Sequence, residues 1–221
     1  MVSGNQRMGW DRPGRSALLG MIGAAMGIER TDEDNIMALE RDIGLAMLVE
    51  RSGSPFMDFH TVRAPSGTDQ GWTARRQEVM AIKHKDNPMV SLREYRINIV
   101  ILVTIWLREN SRFSLQKIAS SLISPTFVMY MGRKACPLGL PVDPTIIDAQ
   151  SPVEALMHRR ENGRERVFLN KLPGRPSTPY IALDEKDAPS ENTRVEYRAD
   201  TLVNRERWQF QQRGEVIIPL I

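Results

Sequence analysis

The chain has 221 residues, of which 41% are hydrophobic and 26% are charged, so it is globular and not intrinsically disordered. Its net charge of +3, from 30 basic and 27 acidic residues, is too small to identify a nucleic-acid partner by itself. The single cysteine, Cys136, excludes internal disulfides and a cysteine-rich zinc site, and it fits a reducing, cytoplasmic location. The three histidines are scattered, so we expect no metal and no cofactor.

The first quarter of the chain predicts two helices followed by two strands. Apolar residues fill Ala17–Ile28, which predicts a buried helix with Ser16 as its N-cap. The segment 31–41 predicts a second, shorter helix with Thr31 or Asp32 as its N-cap and an acidic first turn. The stretches "IGLAMLVER" (43–51) and "FMDFHTV" (56–62) predict strands.

A polar, basic stretch follows at residues 63–88, with one isolated tryptophan, Trp72. A loop of this length inside a compact domain is usually functional or disordered, and we interpret it as an exposed insertion with the form of a hairpin. Its cations favour an RNA-binding arm, and a flexible, solvated hairpin is an equally good interpretation. These cations are Arg75, Arg76, Lys83 and Lys85.

The second half begins with the strongest strand pattern of the chain, "REYRINIVILVTIWLR" (93–108), which we interpret as one long strand. Its apolar run is too short to cross a membrane as a helix, and we expect no membrane partner. Two helices follow, one with Ser114 as its N-cap and one with Ser151 before Pro152. Short strands complete the chain.

This order of elements predicts an α+β fold with a ferredoxin-like or RNA-recognition-like core. We expect that core in residues 1–145, with the insertion 63–88 inside it. Residues 146–221 are expected to form a strand-rich extension that packs on the core.

The segment "YMGRKACPLGLP" (130–141) has two chemical interpretations. Cys136 is a candidate nucleophile, because Arg133 and Lys134 would lower its pKa, and the alternative is a small side chain that only packs. Gly132, Arg133 and Lys134 are also candidates for a clamp on a phosphate backbone. In that case Tyr130 would stack on a base, and the alternative is a solvated loop.

Two histidines allow a catalytic interpretation. His60 and His84 are candidates for the general acid and base of RNA cleavage, with Lys83 stabilising charge. The alternative is that both are ordinary surface or strand-end histidines.

Three segments, in this order, resemble the CRISPR-associated protein 5 family in its type I-E form. They are "GRSALLGMIGAAMGIER" (14–30), "DFHTV" (58–62) and "YMGRKACPLGLP" (130–141). The tail "RVEYRADTLVNRERWQF" (194–210) is similar to the closing segment of that family, so the resemblance covers most of the chain.

The resemblance implies a modified RNA-recognition-like core with a protruding thumb, here residues 63–88. It also implies a non-catalytic subunit of the Cascade surveillance complex that grips the 5′ handle of CRISPR RNA. The partners implied are the backbone subunit and the large subunit, with target DNA met indirectly through the complex. By position, Gly132, Arg133 and Lys134 would hold the handle, and Arg15 and Ser16 would open a helix whose amides suit a phosphate.

The chain departs from the family pattern at its amino terminus. Family members begin with an apolar strand and a "GPMQSWG"-like turn, which only Met8-Gly9-Trp10 echoes here. A missing strand would expose a sheet edge, so we expect the protein to be most stable inside its complex. Two other functions stay open, a metal-independent endoribonuclease that processes precursor CRISPR RNA and a basic adaptor that binds no RNA.

Overall fold

A computed structural model describes residues 6–7, 9–63, 65, 71–83, 88–169, 171–172, 178–189 and 194–220. The chain forms two compact units, and the first comprises Met1–Asp11 and Gly53–Ile97. The second comprises Arg12–Ser52 and Asn98–Ile221. Residues on both sides of position 145 therefore contribute to the second unit.

The first unit contains a three-stranded sheet in the order β1-β4-β3. Strands β3 (Ser54–Val62) and β4 (Met89–Ile97) pair antiparallel along their whole length, and β1 (Gln6–Arg7) pairs in parallel with β4. The basic segment 63–88 joins the two ends of this hairpin and carries the short helix α3 (Arg75–Met80). The antiparallel hairpin is therefore formed by β3 and β4, which flank residues 63–88, and not by that segment itself, whose described part contains α3.

The second unit contains a five-stranded antiparallel sheet in the order β5-β2-β6-β8-β7. Its strands are β2 (Ile43–Arg51), β5 (Val100–Leu107), β6 (Tyr180–Asp184), β7 (Arg194–Asn204) and β8 (Gln209–Pro219). Its α-helices are α1 (Arg15–Met26), α2 (Glu33–Asp42), α4 (Leu115–Ile123), α5 (Pro152–Asn162) and α6 (Arg166–Leu169). The α+β fold class is confirmed, and none of the described helices is long and apolar enough to cross a membrane.

The core lies on both faces of β2, whose nine residues are all buried. Leu45 and Met47 belong to one apolar cluster, which includes side chains of α1, α2 and α4. Ala46 and Leu48 belong to a second cluster, which includes Leu156 of α5. Because both faces of β2 are covered, its sequence is continuously apolar from Ile43 to Val49 and does not alternate.

The prediction of one long strand over residues 93–108 was wrong. The pattern divides into β4 and β5, which belong to different units. Asn98 lies between them with φ +57°, a left-handed conformation that asparagine adopts more readily than most residues. Apolar periodicity continues on both sides of Asn98, so the break has almost no signal in the pattern.

Three of the predicted helix starts are confirmed. Ser114, Ser151 and Asp32 each accept a backbone N–H from the first turn of their helix. The prediction for α1 was wrong, because Gly14 is its N-cap and Ser16 lies inside the first turn.

Candidate functional site

The segment Tyr130–Pro137 forms a closed hairpin loop, which we call the basic loop. Tyr130 and Pro137 form an antiparallel β-bridge at its base. Within the loop, the amide of Met131 donates to the carbonyl of Cys136 at 3.0 Å. The amide of Cys136 donates to the carbonyl of Arg133 at 2.8 Å. These bonds fix the backbone of the loop through local structure.

Gly132 occupies the exposed part of the basic loop with φ +74°. A Cβ added at this position would meet nothing within 4 Å, so the glycine is required by its backbone conformation and not by lack of space. Lys134 is exposed and Arg133 is half-buried. The loop therefore presents an open backbone and at least one solvent-facing cation on the same turn.

Tyr130 lies close to two further arginines that sequence reasoning did not select. Its hydroxyl accepts from Nη2 of Arg30 at 3.4 Å. Burial lowers the pKa of Arg205, the nearby charge of Arg30 lowers it further, and Tyr130 opposes the shift. One guanidinium group thus contacts the base of the basic loop, and a second lies within electrostatic range of it.

The turn between β7 and β8 carries Arg205 together with an exposed tryptophan. The Arg205 guanidinium lies 4.0 Å from the centroid of the Trp208 ring. The turn is held by Asn204, whose Oδ1 accepts the amide of Arg207 at 2.7 Å, and by a 3.2 Å bond from the Trp208 amide to the Arg205 carbonyl. The run "NRERW" between two strand patterns is the only signal for this turn in the sequence.

The first helix has a different environment from the one expected. The Arg15 side chain is 3% exposed, and it donates to Glu40 at 2.5 Å and to the carbonyl of Ile43 at 2.7 Å. Its backbone amide donates to Oδ2 of Asp200 at 2.8 Å. The amide that we expected to bind a phosphate therefore donates its hydrogen bond to a carboxylate of the chain itself. Ser16, the next residue, is half-buried.

Asp200 belongs to a buried network of ion pairs that joins α1 to the sheet. Arg213 donates to Asp200 at 2.7 Å, to Asp184 at 2.6 Å and to Glu215 at 2.8 Å. Burial alone would raise the pKa of Asp200, but the hydrogen bond and charge of Arg213, with smaller contributions from Arg15 and Arg198, lower it overall. Arg15 thus lies within the internal framework of the second unit.

Glu40, the carboxylate partner of Arg15, shows the opposite balance. Its burial raises the pKa more than the charge and hydrogen bond of Arg15 lower it, and Asp184 and Asp200 add to the rise.

The basic segment of the first unit presents its described cations to solvent. Arg75 and Arg76 are exposed on α3, and Arg75 forms an ion pair with Glu78 one turn along. Lys83 is exposed beyond the helix, and Lys85 lies outside the described residues.

The residues of the catalytic alternatives are less well assembled. His60 contacts the carboxylate of Asp58 on the same strand, and His84 lies outside the described residues. Cys136 is half-buried in the basic loop and is not in a disulfide. Among the described residues, no group of three or more His, Cys, Asp or Glu side chains is arranged to hold a metal ion.

Comparisons with known proteins identify the family. A sequence profile described as "CRISPR-associated protein (Cas_Cas5)" matches residues 2–214. The chain is 26% identical over 181 residues to the CRISPR system Cascade subunit CasD of Escherichia coli (strain K12), covering 78% of this chain and 75% of that protein.

Two solved structures share the fold. A chain of a CRISPR RNA-guided surveillance complex matches 99% of this chain and 83% of its own length, with a TM-score of 0.62 and 22% identity. A crystal structure of a Cas protein matches 96% of this chain and 84% of its own length, with a TM-score of 0.51 and 19% identity. Because the family profile covers nearly the whole sequence, the chain belongs to the CRISPR-associated protein 5 family.

Proposed function

We propose that this protein is a non-catalytic, RNA-binding subunit of a type I-E Cascade surveillance complex. In this proposal it grips the 5′ handle of CRISPR RNA and links the backbone subunit to the large subunit. The observation that carries the proposal is the basic loop, in which Gly132 opens the backbone beside the exposed Lys134. The similarity of the chain to the Cascade subunit CasD of Escherichia coli supports the kind of assembly in which the loop would act.

The chemistry of the basic loop suits a single-stranded RNA backbone. Cations bind RNA by neutralising phosphates and releasing counterions, which makes the affinity dependent on salt. Gly132 has no side chain, so a phosphate can approach the loop backbone closely, and Lys134 and Arg133 supply charge on the same turn. Tyr130, half-buried at the base of the loop, offers an aromatic surface for an adjacent base.

The basic segment of the first unit has a separate part in the proposal. Arg75, Arg76 and Lys83 are exposed on the segment that joins β3 to β4, and Lys85 follows in the sequence. We infer that these cations follow the RNA between neighbouring subunits, with the guide RNA, and not this chain, reading the sequence of the target DNA. The buried position of Arg15 supports a structural role for it, with Ser16 as its neighbour in the first turn of α1.

The proposal is tested by measuring the affinity of the full chain for labelled repeat RNA over a range of salt concentrations. We expect Lys134→Ala and Arg133→Ala to weaken binding. Removing one phosphate contact should reduce the slope of log affinity against log salt by about 0.7. Lys186→Ala removes another exposed lysine, in the 3-10 helix Glu185–Asp187, and should leave both quantities unchanged.

A glycine pair tests whether the shape of the loop matters as well as its charge. Gly132→Ala places a side chain at φ +74°, which costs about 1–2 kcal/mol and should distort the loop and weaken binding several-fold. Gly139→Ala is the matched control, because a Cβ there also meets nothing within 4 Å and its backbone is not left-handed. Equal affinities for wild type, Lys134→Ala and Gly132→Ala would contradict the proposal.

One observation keeps a ribonuclease as the second candidate. The contact between His60 and Asp58 is a histidine–carboxylate pair, which could orient an imidazole for proton transfer. Incubating the protein with repeat RNA in EDTA distinguishes the two functions. Cleavage that is lost in His60→Ala or His84→Ala would support the ribonuclease, whereas binding without cleavage supports the non-catalytic subunit.

A further inference from the structure

The surface beside the basic loop combines two cations and an exposed indole. Arg30 donates to the hydroxyl of Tyr130 at 3.4 Å, and Arg205 lies over Trp208 at 4.0 Å. These residues come from the segment after α1, the base of the basic loop and the turn between β7 and β8. The charges of Arg30 and Tyr130 both act on Arg205, so these three parts of the second unit lie within electrostatic range of one another.

The two guanidinium groups lie close enough to repel each other. The charge of Arg30 acts on Arg205 and lowers its pKa, in addition to the effect of burial. Within the described part of the chain, neither arginine forms an ion pair with a carboxylate. Adjacent like charges repel each other, and an anion bound between them relieves that repulsion.

Trp208 is held ready to meet a second planar group. The residue is 59% exposed, although indole is one of the largest apolar groups in proteins. Its backbone has φ +51°, a left-handed conformation within the turn. Arg205 covers one face of the ring, so the exposed area includes surface that a nucleobase can stack upon. A stacked base beside a pair of cations is the usual arrangement for binding single-stranded RNA without reading its sequence.

We propose that Trp208, Arg205 and Arg30 form a nucleotide-binding subsite next to the basic loop. A base of single-stranded RNA stacks on the indole of Trp208, and the two arginines bind the neighbouring phosphate. This subsite deepens the proposed function and rests on it, since it extends the same RNA path from Lys134 and Tyr130 to the turn between β7 and β8.

The test uses the full chain and two labelled RNA probes of about eight nucleotides, a typical site length for such surfaces. One probe is oligouridine, and the other has the same backbone with its bases removed. Trp208→Leu should weaken binding of oligouridine about tenfold and leave the abasic probe unchanged, because only stacking is lost. Trp208→Phe should keep most of the affinity, since phenylalanine also stacks. Because phenylalanine is close to leucine in size, comparing the two variants isolates the effect of stacking.

A second aromatic residue provides the control. Tyr197 is 64% exposed on β7, and Tyr197→Leu should bind both probes as the wild type does. Lys134→Ala should weaken both probes alike, since it removes a phosphate contact and no stacking surface.

The outcomes separate the subsite from the proposed function. If Trp208→Leu matches the wild type on oligouridine while Lys134→Ala weakens both probes, the subsite is wrong and the RNA-binding function stands. The subsite is equally wrong if Trp208→Leu weakens both probes by the same factor. If the wild type binds neither probe in a salt-dependent manner, the proposed function is wrong and the subsite with it.

Discussion

Asp200 determines how the first helix is attached to the sheet. Its carboxylate accepts the amide of Arg15 at the start of α1 and two donors of Arg213 from β8. These partners lower the pKa of Asp200 in the folded protein, although its burial opposes them. A group whose folded pKa is depressed stabilises the protein above its unfolded pKa, and that stabilisation is lost as the pH falls through the folded value.

We therefore expect Asp200→Asn to destabilise the chain most at neutral pH. Removing one charged partner from a buried network costs about 2–3 kcal/mol, because Arg213 and Arg198 lose the counter-charge they face. The difference from wild type should shrink below pH of about 4, where the unfolded carboxyl is protonated. Urea unfolding of both proteins between neutral and acid pH measures this, and a difference that stays constant over the whole range would contradict it.

Strand β2 depends on close contact with its neighbour β5. Gly44 of β2 lies opposite Trp106 of β5, and a Cβ added to Gly44 would lie only 2.0 Å from the indole Cε2. The ring thus covers the glycine backbone, as aromatic residues do beside glycines in sheets. The position has no spare volume, unlike that of Gly20 on α1, where a Cβ meets nothing within 4 Å.

Two glycine substitutions should therefore have opposite signs. Gly44→Ala should lower the free energy of unfolding by about 1–3 kcal/mol, because the indole must move out of its place. Gly20→Ala should raise it by about 0.5–1 kcal/mol, since alanine favours an exposed helix position. Thermal and urea unfolding provide the values, and the effect of Gly44→Ala should be smaller in a Trp106→Leu background. A Gly44→Ala protein as stable as wild type would show that the contact with Trp106 is not tight.

The molecule as a whole exposes apolar side chains that a stable isolated protein would usually cover. In the second unit they lie on the region from the end of α4 to the start of α5. They include Ile123, Phe127, Val128, Leu140 and Ile146. Exposed apolar groups in this number are typical of surfaces that partners cover in an assembly.

We accordingly expect the protein to be more stable with its complex partners than alone. Binding that favours the folded state raises the apparent stability by mass action, and burial of these side chains removes a cause of aggregation. Co-purification with the other subunits and CRISPR RNA should raise the midpoint of thermal unfolding above that of the isolated chain. An isolated chain that is a stable, soluble monomer with full cooperative unfolding would contradict this expectation.

Local features of the chain could be predicted from the sequence because they depend on neighbouring residues. Ser114 and Ser151 cap their helices through bonds to amides three residues away, and the apolar run of β2 reflects burial on both faces. The basic loop was selected for its composition, and its closed form follows from bonds within the segment itself. For such features the sequence contains nearly all of the relevant interactions.

Other features were decided only by tertiary contacts. Arg15 appears in the sequence as a cation at a helix start, and only the folded chain surrounds it with Glu40, Asp184 and Asp200. Arg30 and Arg205 are far apart in the sequence, and only the folded chain brings them close enough for the charge of Arg30 to lower the pKa of Arg205. The sequence by itself determined the class of the fold, its family and the basic loop. The tertiary structure decided which cations are internal and which face solvent, because burial and ion pairing depend on residues that local sequence does not reveal.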